Sequence, residues 1–353
     1  MDKRITIRDI AKRAGVSVAT VSNVINGVNK ASDGTKKLVL QTIKEMGYQP
    51  NLTARSLSIN RSQMIGVLLP IDESTTASLL LRDNPFYGEF ISGVEYQSMM
   101  SGYDVLISGF RPGQSCREWI LKRDLDGIVF VGNYTDAVSS DAKEFGSQLV
   151  LVDSYDEGLE KHHSVNIDDV QGGYAAAKHL LDLGHRNIAI AASSILVDGA
   201  IYRRFCGYKD ALSEKGISVR NDFIFQDSLS FDGGYRIGLR ILENIGQISA
   251  VFAVADIMAF GIMKAFYENG KQIPRDLSIV GFDDIKTCEY VIPPLTSVHQ
   301  PVYEKGITAV NILMDAIKNP DIPKRNVLFP LKLTERGSTI NFCERRLFSG
   351  ACL

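Results

Sequence analysis

Three apolar stripes with the helical spacing of about 3.6 residues lie in the first 48 residues and predict three short helices. Thr6, Ser17 and Ser32 can cap these helices, because a side-chain oxygen can accept a free backbone N–H in the first helical turn. The stripes therefore predict a small three-helix unit. Its inner faces are Ile7, Ile10, Ala11 and Ala14, then Val21, Val24 and Ile25, and then Leu38, Val39, Thr42, Ile43 and Met46, with Gly47 ending the third helix and Tyr48 packing back.

The stretch 14–27, AGVSVATVSNVING, joins the first two helices by one glycine-containing turn. Gly15 breaks the first helix and Gly27 ends the second. A short helix, one turn and a second helix of small, mostly polar residues predict a helix-turn-helix, whose second helix enters the major groove of DNA. The small residues outside its apolar stripe are Val18, Ala19, Thr20, Ser22, Asn23 and Asn26.

From Met64 onward, short apolar runs alternate with amphipathic helices. This alternation predicts parallel sheets with right-handed crossovers, and it occurs twice along the chain. The predicted strands are MIGVLLP, YDVLISGF, LDGIVFVG and QLVLVDS in the first set, and RNIAIAAS, DFIFQDS, ISAVFAVA and LSIVGFD in the second. The predicted helices are FYGEFISGVEYQSMMSG, CREWILKRD, GGYAAAKHLLDLG, YRRFCGYKDALSEKG, GGYRIGLRILENI and MAFGIMKAFYENG.

The predicted fold class is an all-α helix-turn-helix head followed by an α/β body of two doubly wound parallel-sheet subdomains. Ligands of such sheets bind outside the carboxyl ends of the strands, and two facing lobes form a cleft that can close by hinge motion. Polar and aromatic residues follow several strands and are candidates for this cleft, although each aspartate could instead cap a helix. They include Phe86, Tyr87, Arg204, Asp256, Asp283 and Gln300.

Charge is unevenly placed, although the net charge is only −2. Residues 1–63 carry eleven Lys/Arg and four Asp/Glu, whereas the remainder carries 28 and 37. A small basic segment on a large acidic body is typical of a nucleic-acid-binding module joined to a second function. A solvated basic tail is the alternative, but the helical core pattern of this segment argues against it.

Several functional classes lack their signatures in this sequence. No apolar run reaches the roughly 18 residues of a membrane span, and the start lacks the apolar core of a signal peptide. The five cysteines lack C-x-x-C spacing, which argues for a reducing compartment. No phosphate-binding glycine motif or nucleophile motif is present, so we expect no enzyme, and no cofactor or metal site. A pure solute-binding protein is disfavoured by the basic head and the missing export signal.

The first 50 residues resemble the DNA-binding head of the LacI/GalR family of bacterial transcriptional regulators, in TIRDIAKRAGVSVATVSNVING and TKKLVLQTIKEMGYQPN. The resemblance implies that Val18, Ala19 and Asn23 reach base edges. Asn can pair with adenine and small apolar groups can touch a thymine methyl; core packing is the alternative for Val18 and Ala19. Many members carry Arg where this chain has Asn23, so no guanine contact is carried over. Contacts to the DNA backbone, or support of the helix, are implied for Thr6, Ser17, Thr20, Ser22 and Asn26.

A short helix, LTARSL, follows Pro50 and is too short to be stable alone in water. In the family such a hinge orders on DNA, and a leucine matching Leu57 enters the minor groove as a wedge that kinks the duplex. Asn51 would cap this helix, Ala54 would let two hinge helices meet, and Arg55 would reach phosphate. Without the resemblance, a plain interdomain linker is the alternative.

Residues 64 to about 341 resemble the family's effector domain, which is like a periplasmic sugar-binding protein. The resemblance lies in NPFYGEFISGVE, LGHRNIAIA, GYKDAL, ADIMAFG, IPRDLSIVGFDDI, PPLTSVHQP and LTERGST. It implies three crossings between lobes, near Asp168, Val298 and Phe329. The predicted divisions are a head (1–50), a hinge (51–63), a body (64–341) with lobes 64–167 plus 299–329 and 168–298 plus 330–341, and a tail (342–353) of unknown role.

The resemblance implies effector contacts from Arg204, Asp283 and the Phe86/Tyr87 pair, and also from other polar cleft residues. Carboxylates and a guanidinium beside aromatic rings suit a polyhydroxylated ligand, such as a sugar or sugar derivative. The family often has Asn-Asp where this chain has Ala255-Asp256, so ligand identity is not carried over. The remaining candidates are Asp153, Asp168, Asp256 and Gln300.

The leading hypothesis is a cytoplasmic repressor, at the nucleoid when bound to DNA, whose operator affinity a small-molecule effector controls. It would act as a homodimer, because two heads read two half-sites. The family buries helix faces near 86–101, 114–122 and 258–267 against a second subunit, although intrachain packing is the alternative. Two other ways of regulating the operator affinity stay open. One is a phosphocarrier protein that docks on the first lobe of a global carbon-catabolite regulator, and the other is a purine co-repressor. We expect no tetramer through the tail, and no membrane contact.

Overall fold

The computed structural model describes residues 5–25, 31–48, 61–71, 75–111, 116–132, 148–155, 161–196 and 199–344. The chain forms two compact units that divide between Met64 and Ile65. We call residues up to Met64 the head unit and the rest the body. The predicted limits of the hinge, lobes and tail stay predictions.

The described part of the head unit contains three helices around one small core. They are α1 (Ile7–Ala14), α2 (Val18–Ile25) and α3 (Asp33–Met46). Ile10, Val21 and Val39 are fully buried where these helices meet. The capping predictions for Thr6, Ser17 and Ser32 are confirmed by hydrogen bonds, and those for Gly15 and Gly47 by left-handed conformations. Gly27, predicted to end the second helix, lies outside the described residues.

The predicted inner face of α3 is wrong at one position. Leu38 is 48% exposed, whereas Val39 and Thr42 are buried and Ile43 and Met46 pack against the core. These four residues follow the i, i+3, i+4, i+7 spacing of one helical face. Leu38 precedes that series by one residue and is therefore rotated by about 100° from it. Tyr48 packs against the same core, as predicted.

The body contains two six-stranded sheets among the described residues. The first has the strand order β11-β5-β4-β3-β1-β2 and the second has the order β12-β10-β9-β8-β6-β7. The first sheet comprises β1 (Met64–Pro70), β2 (Asp104–Phe110), β3 (Gly127–Val131), β4 (Gln148–Val152), β5 (His163–Ile167) and β11 (Asn326–Phe329). The second comprises β6 (Ile188–Ala192), β7 (Ile224–Gln226), β8 (Ala250–Ala253), β9 (Ser278–Asp283), β10 (Thr296–His299) and β12 (Lys332–Thr334).

Helices cover these sheets and complete two lobes. The first lobe has α4 (Ala77–Asp83), α5 (Pro85–Met100), α6 (Arg117–Arg123) and α11 (Val302–Lys318). The second lobe has α7 (Asp169–Asp182), α8 (Ala200–Glu214), α9 (Phe231–Glu243) and α10 (Asp256–Glu268). Strands β3, β6, β8 and β9 are buried along their whole length, because helices cover both faces of a doubly wound sheet.

The predicted fold class is confirmed, with one difference in strand direction. Strand β12 pairs antiparallel with β10 at the edge of the second sheet, where a parallel strand was expected. It follows β11 after only two residues. This two-residue link between β11 and β12 is one of the three places at which the chain passes from one lobe to the other. The other two lie between β5 and α7 and between β10 and α11.

Helices α7 and α8 touch through their backbones. A Cβ atom added at Gly173 would lie 2.0 Å from the carbonyl oxygen of Arg204, and one added at Gly207 would lie 1.9 Å from that of Val170. No other amino acid fits at these two positions without moving a helix. The contact fixes the start of α7 against the first turns of α8, where the polar residues described below lie.

Candidate functional site

The second helix of the head presents its small residues away from the core. Val18 is 42% exposed and Ala19 is also exposed, which excludes core packing as their role in the described unit. Val21, which belongs to the core of this unit, is fully buried. Ser17 caps the helix by accepting the Thr20 backbone N–H at 3.0 Å. The turn and cap thus hold α2 with its exposed first turn available to a partner.

The other predicted DNA contacts are half-buried, have a structural role of their own, or lie outside the described residues. Ser22 and Asn23 are half-buried. Thr6 forms a capping box, in which its hydroxyl oxygen accepts the Asp9 backbone N–H and its own backbone N–H donates to the Asp9 carboxylate. This structural role accounts for Thr6 without DNA. Asn26, Asn51, Ala54, Arg55 and Leu57 lie outside the described residues.

A cavity of about 340 Å³ opens between the lobes of the body. Its lining comes from the carboxyl ends of strands in both sheets and from the first turns of α5 and α8. This is the edge at which doubly wound sheets bind ligands. The first lobe contributes Pro70, Asn84, Phe86, Tyr87, Phe110, Phe130, Val131, Gly132 and Asp153, and the second contributes Ser194, Gly199, Ala200, Ile201, Arg204, Leu229, Ala255 and Asp283.

Five of the eight predicted effector contacts line this cavity: Phe86, Tyr87, Asp153, Arg204 and Asp283. The rings of Phe86 and Tyr87 meet edge to face, with centroids 5.1 Å apart. They offer an apolar wall near a polar one. The pairing of aromatic rings with a few convergent polar groups is typical of small-molecule sites.

Arg204 is the centre of the polar wall. Its Nε donates to Asp169 at 2.6 Å, and Nη1 donates to the Val254 carbonyl at 2.6 Å and lies 3.6 Å from Asp283. The guanidinium carbon lies 3.5 Å from the centre of the Phe282 ring. Two carboxylates and a ring face therefore hold this buried cation in one orientation.

Asp168, predicted as an effector contact, does not line the cavity: it is exposed and caps α7, accepting the Gln171 backbone N–H at 2.9 Å. Its neighbour Asp169 points inward to Arg204 and also accepts a hydrogen bond from the Tyr155 hydroxyl. Burial raises the pKa of Asp169 and that of Tyr155. Sequence reasoning missed both Asp169 and Tyr155.

Asp153 and Asp283 face the cavity from opposite lobes, and both have left-handed backbone conformations, with φ of 52° and 109°. Such strain in a non-glycine residue is concentrated at functional sites. Asp153 is the first residue after β4, and Asp283 is the last residue of β9. Burial raises the pKa of Asp283 to about 8, although Arg204 acts in the opposite direction.

Gln300, another predicted effector contact, does not line the cavity but lies behind its wall. It is 1% exposed, its side-chain amide donates to Asp283 at 2.6 Å, and its oxygen accepts from Lys305 at 2.8 Å. Lys305 is fully buried and forms an ion pair with Asp153. Gln300 and Lys305 thus position the two cavity carboxylates, and the role of Lys305 had no signal in the sequence pattern.

Asp256, also predicted as an effector contact, does not line the cavity either, for a different reason. The residue is fully buried beneath the cavity wall and accepts hydrogen bonds from Ser297, the Ile285 backbone N–H and Cys288, at 2.6, 3.0 and 3.1 Å. It is the first residue of α10, and its neighbour Ala255 lines the cavity instead. Burial raises the pKa of Asp256 to about 7.

Two absences hold for the described ranges. No group of three or more His, Cys, Asp or Glu residues there could hold a metal ion. No helix in those ranges is both long enough and apolar enough to cross a membrane.

Comparison with known proteins agrees with both units. Residues 6–51 match the sequence profile of bacterial regulatory proteins of the lacI family, and residues 177–339 match that of a periplasmic binding protein-like domain. Catabolite control protein A of Priestia megaterium is 33% identical over 340 residues, which are 95% of this chain and 99% of that protein.

Solved structures show the same architecture. The transcriptional regulator CelR in complex with cellobiose matches with 27% identity and a TM-score of 0.70, over 95% of this chain and 100% of CelR. The lac repressor dimer bound to operator and the anti-inducer ONPF matches with 25% identity and a TM-score of 0.79, over 96% and 100%. These relatives are regulators and not enzymes. The chain therefore belongs to the LacI family of bacterial transcriptional regulators.

Proposed function

We propose that this protein represses transcription by binding operator DNA as a homodimer, and that a small hydroxylated effector in the interlobe cavity sets its operator affinity. The observation that carries the proposal is the Arg204–Asp283 pair, which faces the Phe86 and Tyr87 rings across a cavity lined by both lobes. Charged donors and acceptors bind hydroxyl groups, and rings cover the apolar face of a sugar.

The DNA side of the proposal rests on α2. Its exposed Val18 and Ala19 are candidates for contacts with thymine methyl groups, and Asn23 follows one turn later as a candidate for an adenine edge. Ser17, Thr20 and Ser22 are candidates for the phosphates. The hinge residues Asn51, Ala54, Arg55 and Leu57, together with Asn26, enter the proposal from their resemblance to the family.

The dimer is supported by apolar side chains that the described body leaves exposed. They lie on helices where the family resemblance expects a second subunit. The lac repressor matched above is a dimer on its operator, with the same fold. Two heads double the base contacts that one short helix can make. The exposed residues are Tyr96, Met99 and Met100 on α5 and Tyr267 on α10.

The proposed coupling between effector binding and DNA binding depends on which residues belong to each lobe. An effector that touches Asp153 and Arg204 bridges the two lobes and favours one angle between them. The first lobe begins with β1, which directly follows residues 51–63, so its orientation sets the spacing of two hinge segments in a dimer. A coupling of a few kcal/mol is enough for regulation. The proposed place of action is the cytoplasm, on nucleoid DNA.

The test is operator binding in the presence of candidate effectors. The operator is first selected from genomic fragments, and its Kd is then measured by fluorescence anisotropy with cellobiose, ribose, glucose, hypoxanthine and guanine. One of these ligands should change the Kd about ten-fold. Arg204→Leu should remove that response, because it deletes the central donor of the cavity. Asp168→Asn, an exposed cap that the cavity does not use, is the matched control and should respond like the wild type.

Three outcomes separate the parts of the proposal. If Asp168→Asn loses the effector-induced change in operator Kd just as Arg204→Leu does, the assignment of the effector site to this cavity is contradicted. A response to purines but not to sugars would replace the proposed effector class. A response to no small molecule would favour control by a partner protein.

A further inference from the structure

Each buried cation at the cavity is already neutralised by carboxylates of the protein. Arg204 is the cationic residue among the described residues that line the cavity, and it lies between Asp169 and Asp283. Lys305, one layer behind, pairs with Asp153. Its remaining described hydrogen bond goes to Gln300. Neither cation is therefore placed to meet the charge of an incoming anion.

These groups form one connected polar network that links the two lobes. It runs from Tyr155 through Asp169, Arg204 and Asp283 to Gln300, and from there through Lys305 to Asp153 in the first lobe. The network contains three carboxyl groups and two cations. If all of them ionise, the network has one negative charge in excess, and protonation of one carboxyl leaves it neutral. A net positive charge would require two protonated carboxyls, which the ion pairs of Asp169 with Arg204 and of Asp153 with Lys305 oppose.

The carboxyl groups that reach the cavity are the acceptors an uncharged ligand needs. Asp153 and Asp283 approach from opposite lobes, and Asn84 and Ser194 add neutral polar groups to the lining. The remaining lining is mostly apolar, with Phe86, Tyr87, Phe110 and Phe130 among it. An anion placed here would lie beside carboxylates in a region of low effective dielectric, where like charges repel far more strongly than in water.

We propose that the cavity takes an uncharged ligand rich in hydroxyl groups and excludes phosphate esters and other anions. The proposal rests on the proposed function and names the class of its effector. A volume of about 340 Å³ restricts that ligand to a small molecule, at the lower end of the size range of such sites. Sugar phosphates and the nucleotide forms of purines fall outside the class.

The first test compares each neutral sugar with its own phosphate ester on the full-length protein. Thermal denaturation and titration calorimetry are run with cellobiose and cellobiose 6-phosphate, ribose and ribose 5-phosphate, and glucose and glucose 6-phosphate. The sugar that binds should lose at least about ten-fold in affinity when it carries the phosphate. Equal or tighter binding of the ester would overturn the charge proposal and leave effector control intact.

The second test needs no cognate sugar and uses inorganic phosphate as the probe. Asp153→Asn removes the carboxylate partner of the buried Lys305, so phosphate should raise the Tm of this variant by several degrees more than that of the wild type. Asp153→Asn/Lys305→Met removes both charges and should return to the wild-type response. Asp168→Asn reports phosphate binding elsewhere on the protein, including the basic head.

The two tests fail in distinguishable ways. If no sugar and no ester binds, the sugar class of the proposed function is wrong, and the phosphate titration alone decides the charge proposal. If phosphate instead raises the Tm of the wild type as much as that of Asp153→Asn, and more than that of Arg204→Leu, an anion binds at Arg204 in the native cavity. This result would overturn the charge proposal. If Asp153→Asn does not fold by circular dichroism, Asp283→Asn takes its place, because it removes one of the two carboxylates beside Arg204.

Discussion

His299 ends β10 beside the second crossover and contacts the carboxylate of Asp284, the residue directly after the neighbouring strand β9. Its Nδ1 lies 3.2 Å from Asp284, which also accepts hydrogen bonds from Arg336 and Thr334. The hydrogen bond with Asp284 raises the pKa of His299. Although burial alone would raise the pKa of Asp284, these donors lower it, so its carboxylate is charged across the range in which histidine titrates.

The pH dependence of this pair has a definite sign. Because the pKa of His299 is higher in the folded state than the unfolded value of about 6.5, the pair stabilises the protein fully below that pH. The contribution is lost as the pH rises through the folded-state pKa. His299→Gln should therefore lower the Tm at pH 5.5 by about 2 °C and change it little at pH 9. Thermal denaturation at both values checks this, and an equal decrease at both would contradict it.

At the residue scale, the types of residue that line the cavity could be predicted from the sequence. The individual positions could be predicted less well. Asp168 and Asp169 are adjacent, and the pattern of residues does not tell which carboxylate caps α7 and which turns inward. Lys305 lies on a helix in a position that reads as polar and exposed, yet it is fully buried. Burial of a charge depends on a partner distant in sequence, here Asp153, and periodicity carries no such information.

At the element scale, the backbone contact between α7 and α8 holds the polar wall together. Asp169 begins α7 and Arg204 lies in the second turn of α8, so the distance between these helices sets the geometry of their ion pair. The contact depends on Gly173 and Gly207. Close-packed helices of this kind move as one piece.

Gly207→Ala should separate α7 from α8, because its Cβ would lie 1.9 Å from the Val170 carbonyl oxygen. We expect a loss of about 1–3 kcal/mol in the free energy of unfolding, measured in urea, together with weaker effector binding. The control is Gly88→Ala on α5, where an added Cβ meets nothing within 4 Å. That variant should gain about 0.5–1 kcal/mol. Equal effects of the two substitutions would contradict the close contact.

Most elements could be predicted from periodicity, and those that could not share a physical cause. Strand β5 reads HSVNI, in which Asn166 accepts and donates hydrogen bonds to the Ser154 backbone, so its polar residues hide a fully buried strand. Strands β11 and β12 are half-exposed edge strands of four and three residues. Short strands with little burial carry too few apolar positions to show a period.

At the scale of the whole molecule, three connections join lobes whose sheets have separate cores. Phe86 packs against both cores, and the polar network from Tyr155 to Asp153 links the two lobes. The two-lobed architecture with its cleft could be predicted from the repeated alternation of strands and helices. The pairing of individual charges across the cleft could not, because it depends on the final angle between two lobes that fold around different cores.

The three connections also decide the order in which the protein can be completed during synthesis. The first lobe starts at β1 but needs α11 to cover Phe90 and Val94, and it needs β11 to close its edge. Both elements leave the ribosome only after nearly all of the second lobe. The first sheet must therefore wait with an uncovered apolar face while roughly 130 residues of the other lobe are made.

A chain that ends at residue 300 should retain this unfinished state. Without α11 and β11, its first lobe should bind a dye for exposed apolar surface and aggregate, whereas a chain that ends at residue 344 should behave like the full-length protein. Dye fluorescence and light scattering of the two purified chains measure the difference. A soluble, dye-free protein ending at residue 300 would contradict this order. The cavity lies between the lobes, so the proposed effector site is complete only once synthesis is almost complete.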